Sequence, residues 1–139
     1  MVVIETMAWI DFLLDASPII AIYGTTIPSL NGVYVHEIML HRDGPNVMIR
    51  FDFQSYPDRP PKKWLIKDFN RVQLHLLALS IEDLQIHGGG FERKIDLNVK
   101  KIGAFVSVNT RNAMFEIDFK ARFLAINKIS AYRADRLEK

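Results

Sequence analysis

Four histidines, His36, His41, His75 and His87, are the side chains of this sequence best suited to proton transfer or metal ligation. None stands beside an Asp or Glu at the spacing of a known metal motif, so a catalytic or ligand site would need folding to converge His36, Glu37 and His75. The carboxylates Asp11, Asp15, Glu37, Asp43 and Asp52 offer several possible acid–base pairs, and the local sequence favours none of them. Ser107 and Ser130 lie in no nucleophile elbow. The run Gly88-Gly89-Gly90 lacks the lysine and the following helix that give a phosphate cradle its charge and aligned amides, and it reads as a turn. No catalytic residue, cofactor site or metal site is assigned.

Charge and composition narrow the field further. The 139 residues are 49% apolar, enough for a single domain over residues 1–139 with a core of ordinary size. Cysteine is absent, which removes disulfides and thiolate metal sites and fits a cytoplasmic protein. Glu5 follows the apolar Met1 to Ile4 at once, so no secretory signal is expected, and no run approaches the roughly 18 uncharged residues that span a bilayer. The formal charge is +2, from 18 basic and 16 acidic residues with interspersed signs. That pattern argues against a nucleic-acid binder, which gathers its cations on one face, and equally against an acidic decoy of nucleic acid. Neither nucleic acid nor membrane is an expected partner.

The elements follow from periodicity. A short helix is expected over Thr6 to Asp15, where Trp9, Phe12 and Leu13 form one apolar stripe. A second is expected over Ile19 to Tyr23, with Ser17 as N-cap, Pro18 in the first turn and Gly24 as terminator. Strand chemistry begins at Val33: Val33 to His41 places Tyr34, His36, Ile38 and Leu40 on one side, so His36 reads as a hydrogen-bonded core residue. The turn Arg42 to Asn46 joins this strand to its neighbour as a hairpin. Arg71 to Leu79 reads as a central strand, and Ser80 to His87 either continues it after a bend or pairs back on it. Lys94 to Lys100 and Ile102 to Asn109 follow, the latter with Ile102, Ala104, Val106 and Val108 together; a turn is expected at Asn109 to Asn112. From Ala113 to Tyr132 there is neither proline nor glycine, and a change of apolar register predicts a bulge or bend near Lys120 to Arg122, where the strand passes to another sheet. The fold class is α+β: mostly antiparallel sheet of six to eight strands, as a sandwich or half-barrel, under a short helical N-terminal cover.

The most informative stretch is Arg42 to Leu76. Between Asn46 and Gln54, Val47, Ile49, Phe51 and Phe53 alternate with Met48, Arg50, Asp52 and Gln54, so one face packs and the other meets water or a partner. The connection that follows holds Pro57, Pro60 and Pro61, which restrict the backbone and hold Tyr56, Arg59, Lys62, Lys63 and Trp64 in place. Preorganised aromatic and arginine side chains are the kind that carry binding energy. Arg50, Asp52, Tyr56, Arg59, Lys62 and Lys63 are therefore the candidate partner-binding residues, while Trp9 and Trp64 read as packing anchors.

Several of these pieces also form a collinear set: IYGTTIPSL (Ile22 to Leu30), VHEIMLHRDGPNVMIRFDF (Val35 to Phe53), YPDRPPKKW (Tyr56 to Trp64), FNRVQLHL (Phe69 to Leu76) and ISAY (Ile129 to Tyr132). In this order the chain resembles the immunity protein 50 family of bacterial polymorphic toxin systems. It departs after Ile86, where HGGGF replaces an expected glycine–tryptophan pair. The resemblance implies a cytoplasmic antidote that binds a cognate toxin by stoichiometric, non-covalent occlusion, with no catalytic residues to carry over and the oligomeric state open. The alternative is a small-ligand-binding β domain or an enzyme with a sheet-cavity site around His36 and His75.

Overall fold

The computed structural model describes residues 8–90, 94–112 and 114–135. Its frame is one six-stranded antiparallel sheet in the order β1-β2-β3-β6-β5-β4: β1 Tyr34–His41, β2 Asn46–Asp52, β3 Arg71–Gly88, β4 Asn98–Ile102, β5 Phe105–Arg111 and β6 Phe115–Tyr132. Three short helical pieces accompany it: a 3-10 turn at Trp9–Phe12, α1 at Ser17–Tyr23 and α2 at Lys62–Ile66. The α+β class and the antiparallel sheet are as the sequence predicts.

The two 18-residue strands β3 and β6 run side by side from Arg71↔Tyr132 to Gly88↔Phe115. The buried residues of β3 are spaced by two from Val72 to Ala78 and then shift to Ile81, and those of β6 are spaced by two from Ile117 to Ala121 and then shift to Leu124. Both strands change face at the same place, so the ribbon bends while its pairing continues. Ser80 takes a φ of 54° at the bend, and the β1–β2 turn holds it there: Asn46 Oδ1 accepts from the Ser80 N–H at 3.3 Å, and the Pro45 carbonyl accepts from the Ile81 N–H at 3.0 Å. This settles two points of the sequence reading. Ser80 to His87 continues β3, and the expected bend near Arg122 lies within one sheet instead of marking passage to a second.

Beyond the bend the sheet's two ends approach. Val33 and Ile95 exchange backbone hydrogen bonds at 2.9 and 3.0 Å, and the Leu97 N–H donates to the Leu30 carbonyl at 3.0 Å. The resulting concave face encloses Val47, Ile49, Phe51, Phe53, Val72, Leu74, Leu76, Val106, Val108, Ile117, Phe119 and Leu124, all at most 2% exposed. Trp9, Ile19 and Tyr23 from the N-terminal segment pack on this face. Phe53 is the centre of that contact, with the rings of Phe51, Tyr23 and Trp9 at 5.4, 5.7 and 6.0 Å.

Several local expectations are corrected. The first helix is only the turn Trp9–Phe12; Thr6 and Met7 lie outside the described residues, and Leu13 is extended because the Leu14 N–H donates to the Leu124 carbonyl on the edge of β6 opposite β3, beyond the end of its pairing with β5. α1 begins a residue earlier than expected, with Ala16 at the N-cap and Ser17 inside, its N–H held by Asp15 Oδ1 at 3.0 Å. Gly24 ends α1 as expected, at a φ of 66° that a side chain would oppose. Ile102 does not share a strand face with Ala104 and Val106, because the chain reverses at Gly103-Ala104 and leaves Ile102 exposed at the end of β4. β5 accordingly runs on to Arg111, through the expected turn.

Trp9 also donates its indole N–H to the Pro28 carbonyl at 2.9 Å, tying the N-terminal segment to the next loop. Trp9→Ala is expected to cost about 3 kcal/mol, read as a lower urea midpoint with unchanged slope; an unchanged midpoint would mean that the N-terminal cover contributes nothing to the core.

Candidate functional site

The helices pack on the concave face, and the convex face is a ladder of rows read directly from the strand register. The first row is Tyr34, Asp52, Gln73 and Ser130; the second is Glu37, Arg50, His75 and Lys128; the third is Met39, Met48, Leu77 and Ala125, followed by the pair Leu79 and Phe123. Arg71 and Tyr132 pair beyond the first row. Alternation dictates this set, because each member stands next to a core residue on its own strand.

Asp52 organises the first row. It is fully buried, yet it belongs to the convex face. Gln73 Nε2 donates to its Oδ1 at 3.0 Å, His36 Nε2 lies 2.9 Å from Oδ2, and the Tyr132 hydroxyl donates to Oδ2. A carboxylate out of water is retained only when its lone pairs are satisfied in this way. His36 reaches it through a β-bulge: Val35 pairs with Phe51 and Glu37 with Arg50, so His36 is the extra residue. The core position expected for His36 is therefore overturned. One inserted residue reverses the alternation, puts Val35, Ile38 and Leu40 on the concave side, and aims the imidazole at Asp52.

The second row is the exposed one. Arg50 Nε donates to Glu37 Oε1 at 3.1 Å, and an Arg50 terminal nitrogen reaches Gln73 Oε1 at 3.5 Å. Gln73 thus bridges the buried carboxylate and the surface guanidinium. His75, between Arg50 and Lys128, is held below the ordinary imidazole value by burial first and by those two cations next, with Glu37 opposing. Over the first row, Arg71 lies 4.6 Å and Lys94 5.4 Å from the centre of the Tyr34 ring.

The other sequence candidates lie elsewhere. Tyr56 and Trp64 are half-buried against the core cluster, their rings 6.3 Å apart. The Tyr56 hydroxyl is buried without a hydrogen-bond partner among the described residues, and burial, with Asp68 second, raises its pKa. Arg59 and Asp58 line a cavity of about 380 Å³ with Tyr23, Gly24, Thr25 and Thr26 at the end of α1. Lys62 and Lys63 are exposed on α2. The structure therefore brings Arg50 and Asp52 together and separates them from the loop set. His36 lines a cavity of about 230 Å³ with Val35, Glu37, Ile38, Ile95 and Phe115, and His75 is not among its lining residues. Among the described residues no group of three His, Asp or Glu side chains is placed to hold a metal ion, and no helix is long and apolar enough to cross a membrane.

Sequence reasoning missed His36, Gln73, Lys128 and Tyr132 as members of this face. The alternation of Gln73 and His75 with Val72, Leu74 and Leu76 carried part of the signal. Their alignment with Arg50 and Lys128 needed the strand register.

An antiparallel sheet with a helical cover on one face and a hydrogen-bonded polar ladder on the other defines an α+β protein. Residues 15–132 match the model of the family described as Immunity protein 50, and the chain belongs to that family, as its resemblance implied. No curated protein and no solved structure matches it.

Two outcomes follow from the ladder. Asp52→Ala would remove the carboxylate that accepts from the Gln73 amide and the Tyr132 hydroxyl, and is expected to cost about 2–3 kcal/mol; Tyr132→Phe should cost about 1–2 kcal/mol, both read by urea unfolding at pH 7.5. His75 titrates lower folded than unfolded, so the unfolded chain binds more protons and stability rises with pH. Its contribution is complete above the unfolded value of 6.5 and is lost as pH falls through the lowered folded value. Wild-type protein should therefore lose more stability than His75→Gln between pH 7.5 and 5, and parallel losses would disprove the effect.

Proposed function

We propose that this chain neutralises a cognate toxin by stoichiometric, non-covalent occlusion, acting as a binding protein without catalytic turnover in the cytoplasm of the cell that makes both. The observation that carries the reading is membership of the immunity-protein family over residues 15–132. The convex face supplies a surface suited to the task. Its floor is fixed by the Asp52 network, so the side chains above it are held before a partner arrives, and ordering them again on binding costs little entropy.

On this reading Arg50 makes the contact, and Asp52 acts from beneath by holding Gln73 and through it the Arg50 guanidinium. Tyr56 acts as packing. Arg59 lines the cavity at the end of α1 and Lys62 and Lys63 are exposed on α2, and these three are spared.

The test is co-expression with the toxin domain encoded beside the gene, with growth as the readout. Wild-type protein should restore growth and form a one-to-one complex by light scattering. Arg50→Glu, checked for folding by its melting curve, should abolish protection, while Arg59→Glu should retain it. Loss only in Arg59→Glu would move the interface to the loop, and lack of protection by wild-type protein at any dose would remove the immunity reading.

A further inference from the structure

The charges on the convex face specify the chemistry of what it binds, given the immunity reading above. Arg50, Arg71 and Lys128 stand on it, and Lys94 joins at the Tyr34 ring. Two acids oppose these four cations in the same rows, Asp52 and Glu37. Asp52 is 0% exposed and its oxygens are engaged by Gln73, His36 and Tyr132, so it presents no negative surface to a partner. Glu37 and Arg50 form one ion pair and offset each other, so the surplus of positive charge rests on Arg71, Lys94 and Lys128. Lys128 is exposed and makes no salt bridge among the described residues. His75 stands between Arg50 and Lys128, and its protonation is lowered by burial first and by these two cations second.

Beside the cationic row runs an apolar one. Met39, Leu77, Leu79 and Ala125 are half-exposed and Phe123 is 48% exposed. An apolar strip with Arg and Lys along one side is unlike a nucleic-acid platform, where cations track a phosphate backbone and aromatic rings lie flat for stacking. It matches a protein interface in which an apolar area borders a charged margin. The whole chain carries only +2, so the bias belongs to this face and not to the protein at large.

We infer that the convex face docks on an acidic protein surface of the toxin, with Leu77, Leu79 and Phe123 covered and Arg50, Arg71 and Lys128 meeting partner carboxylates along one side of them. Its partner's inhibited region is thereby an acidic patch bordering an apolar one, such as the mouth of a carboxylate-lined cleft. Opposite charges across such an interface chiefly set the association rate and its salt dependence, while the apolar strip sets dissociation.

Association of the purified protein with the toxin domain encoded beside its gene is to be measured by stopped flow at 25 and 300 mM salt. Wild-type association should slow by about tenfold or more across that range. Lys128→Glu, which removes no internal contact, should slow it by about tenfold at low salt and flatten the salt dependence. Phe123→Ser should instead speed dissociation. Lys62→Glu on α2 serves as the control and should change neither. An Asp→Lys or Glu→Lys substitution on the toxin that restores fast association to Lys128→Glu would identify the facing carboxylate. If the complex forms but Lys128→Glu associates as fast as wild type, or faster, the acidic-partner inference is overturned while the immunity reading survives. If wild type forms no complex at micromolar concentrations, both fall. Binding of phosphatidylserine vesicles or duplex DNA that Lys128→Glu abolishes, with no toxin complex, would overturn the inference in favour of a different class of partner.

Discussion

The pairing of β3 with β6 is the constraint on which the rest of this structure depends. Two 18-residue strands joined over nearly their whole length form a ribbon long enough to bend once, and the bend decides what each half can do. Before it, β1 and β2 add on one side; after it, β5 and β4 add on the other. Because both strands change face together at Ser80 and Arg122, the sheet curls, and its ends come close enough for Val33 and Ile95 to exchange hydrogen bonds. Loss of that bend would separate the two halves of the core. The β1–β2 turn, through Asn46 and Pro45, is the element that holds it.

Curvature also divides the sheet into two chemically different faces. The concave side collects Phe51, Phe53, Leu74 and Phe119 and takes the N-terminal helices as its cover. A closely packed aromatic centre around Phe53 makes that side the source of stability. On the convex side a single carboxylate does comparable organising work with polar chemistry. Asp52 is buried by the side chains that bond it, and those side chains in turn are positioned by it. A charge in that situation contributes little net stability compared with an apolar replacement. What it does supply is direction: Gln73, His36 and Tyr132 each have one place to be.

Gly88 shows how local backbone freedom serves the same plan at the far end of the ribbon. It closes the β3–β6 pairing opposite Phe115 at a φ of 88°, and a Cβ there would run into the Met114 carbonyl. Gly88 therefore belongs to β3 and not to the turn expected at the three glycines; Phe91, Glu92 and Arg93 lie outside the described residues.

The sequence by itself determined the class of fold, the inward residues of β2 and the family. Val47, Ile49, Phe51 and Phe53 alternate so strictly that one face of that strand had to be buried, and the motif order from Ile22 to Tyr132 points to the immunity-protein family without any coordinates. Proline and glycine positions marked α1's end and the crossing loop for the same local reason, since they restrict or free the backbone wherever they stand. Tertiary structure alone decided which polar residues meet. His36 looked like a core residue until an inserted position in β1 turned it over, and a bulge depends on the partner strand's register, which no local pattern encodes. Asp52 looked like a surface charge until Gln73 from β3 and Tyr132 from β6 closed over it from positions 21 and 80 residues away in the chain. Arg50 and Arg59 are only nine positions apart in the sequence. They separate in space because the chain leaves the sheet after Asp52 and turns toward α1, a route set by packing between distant elements.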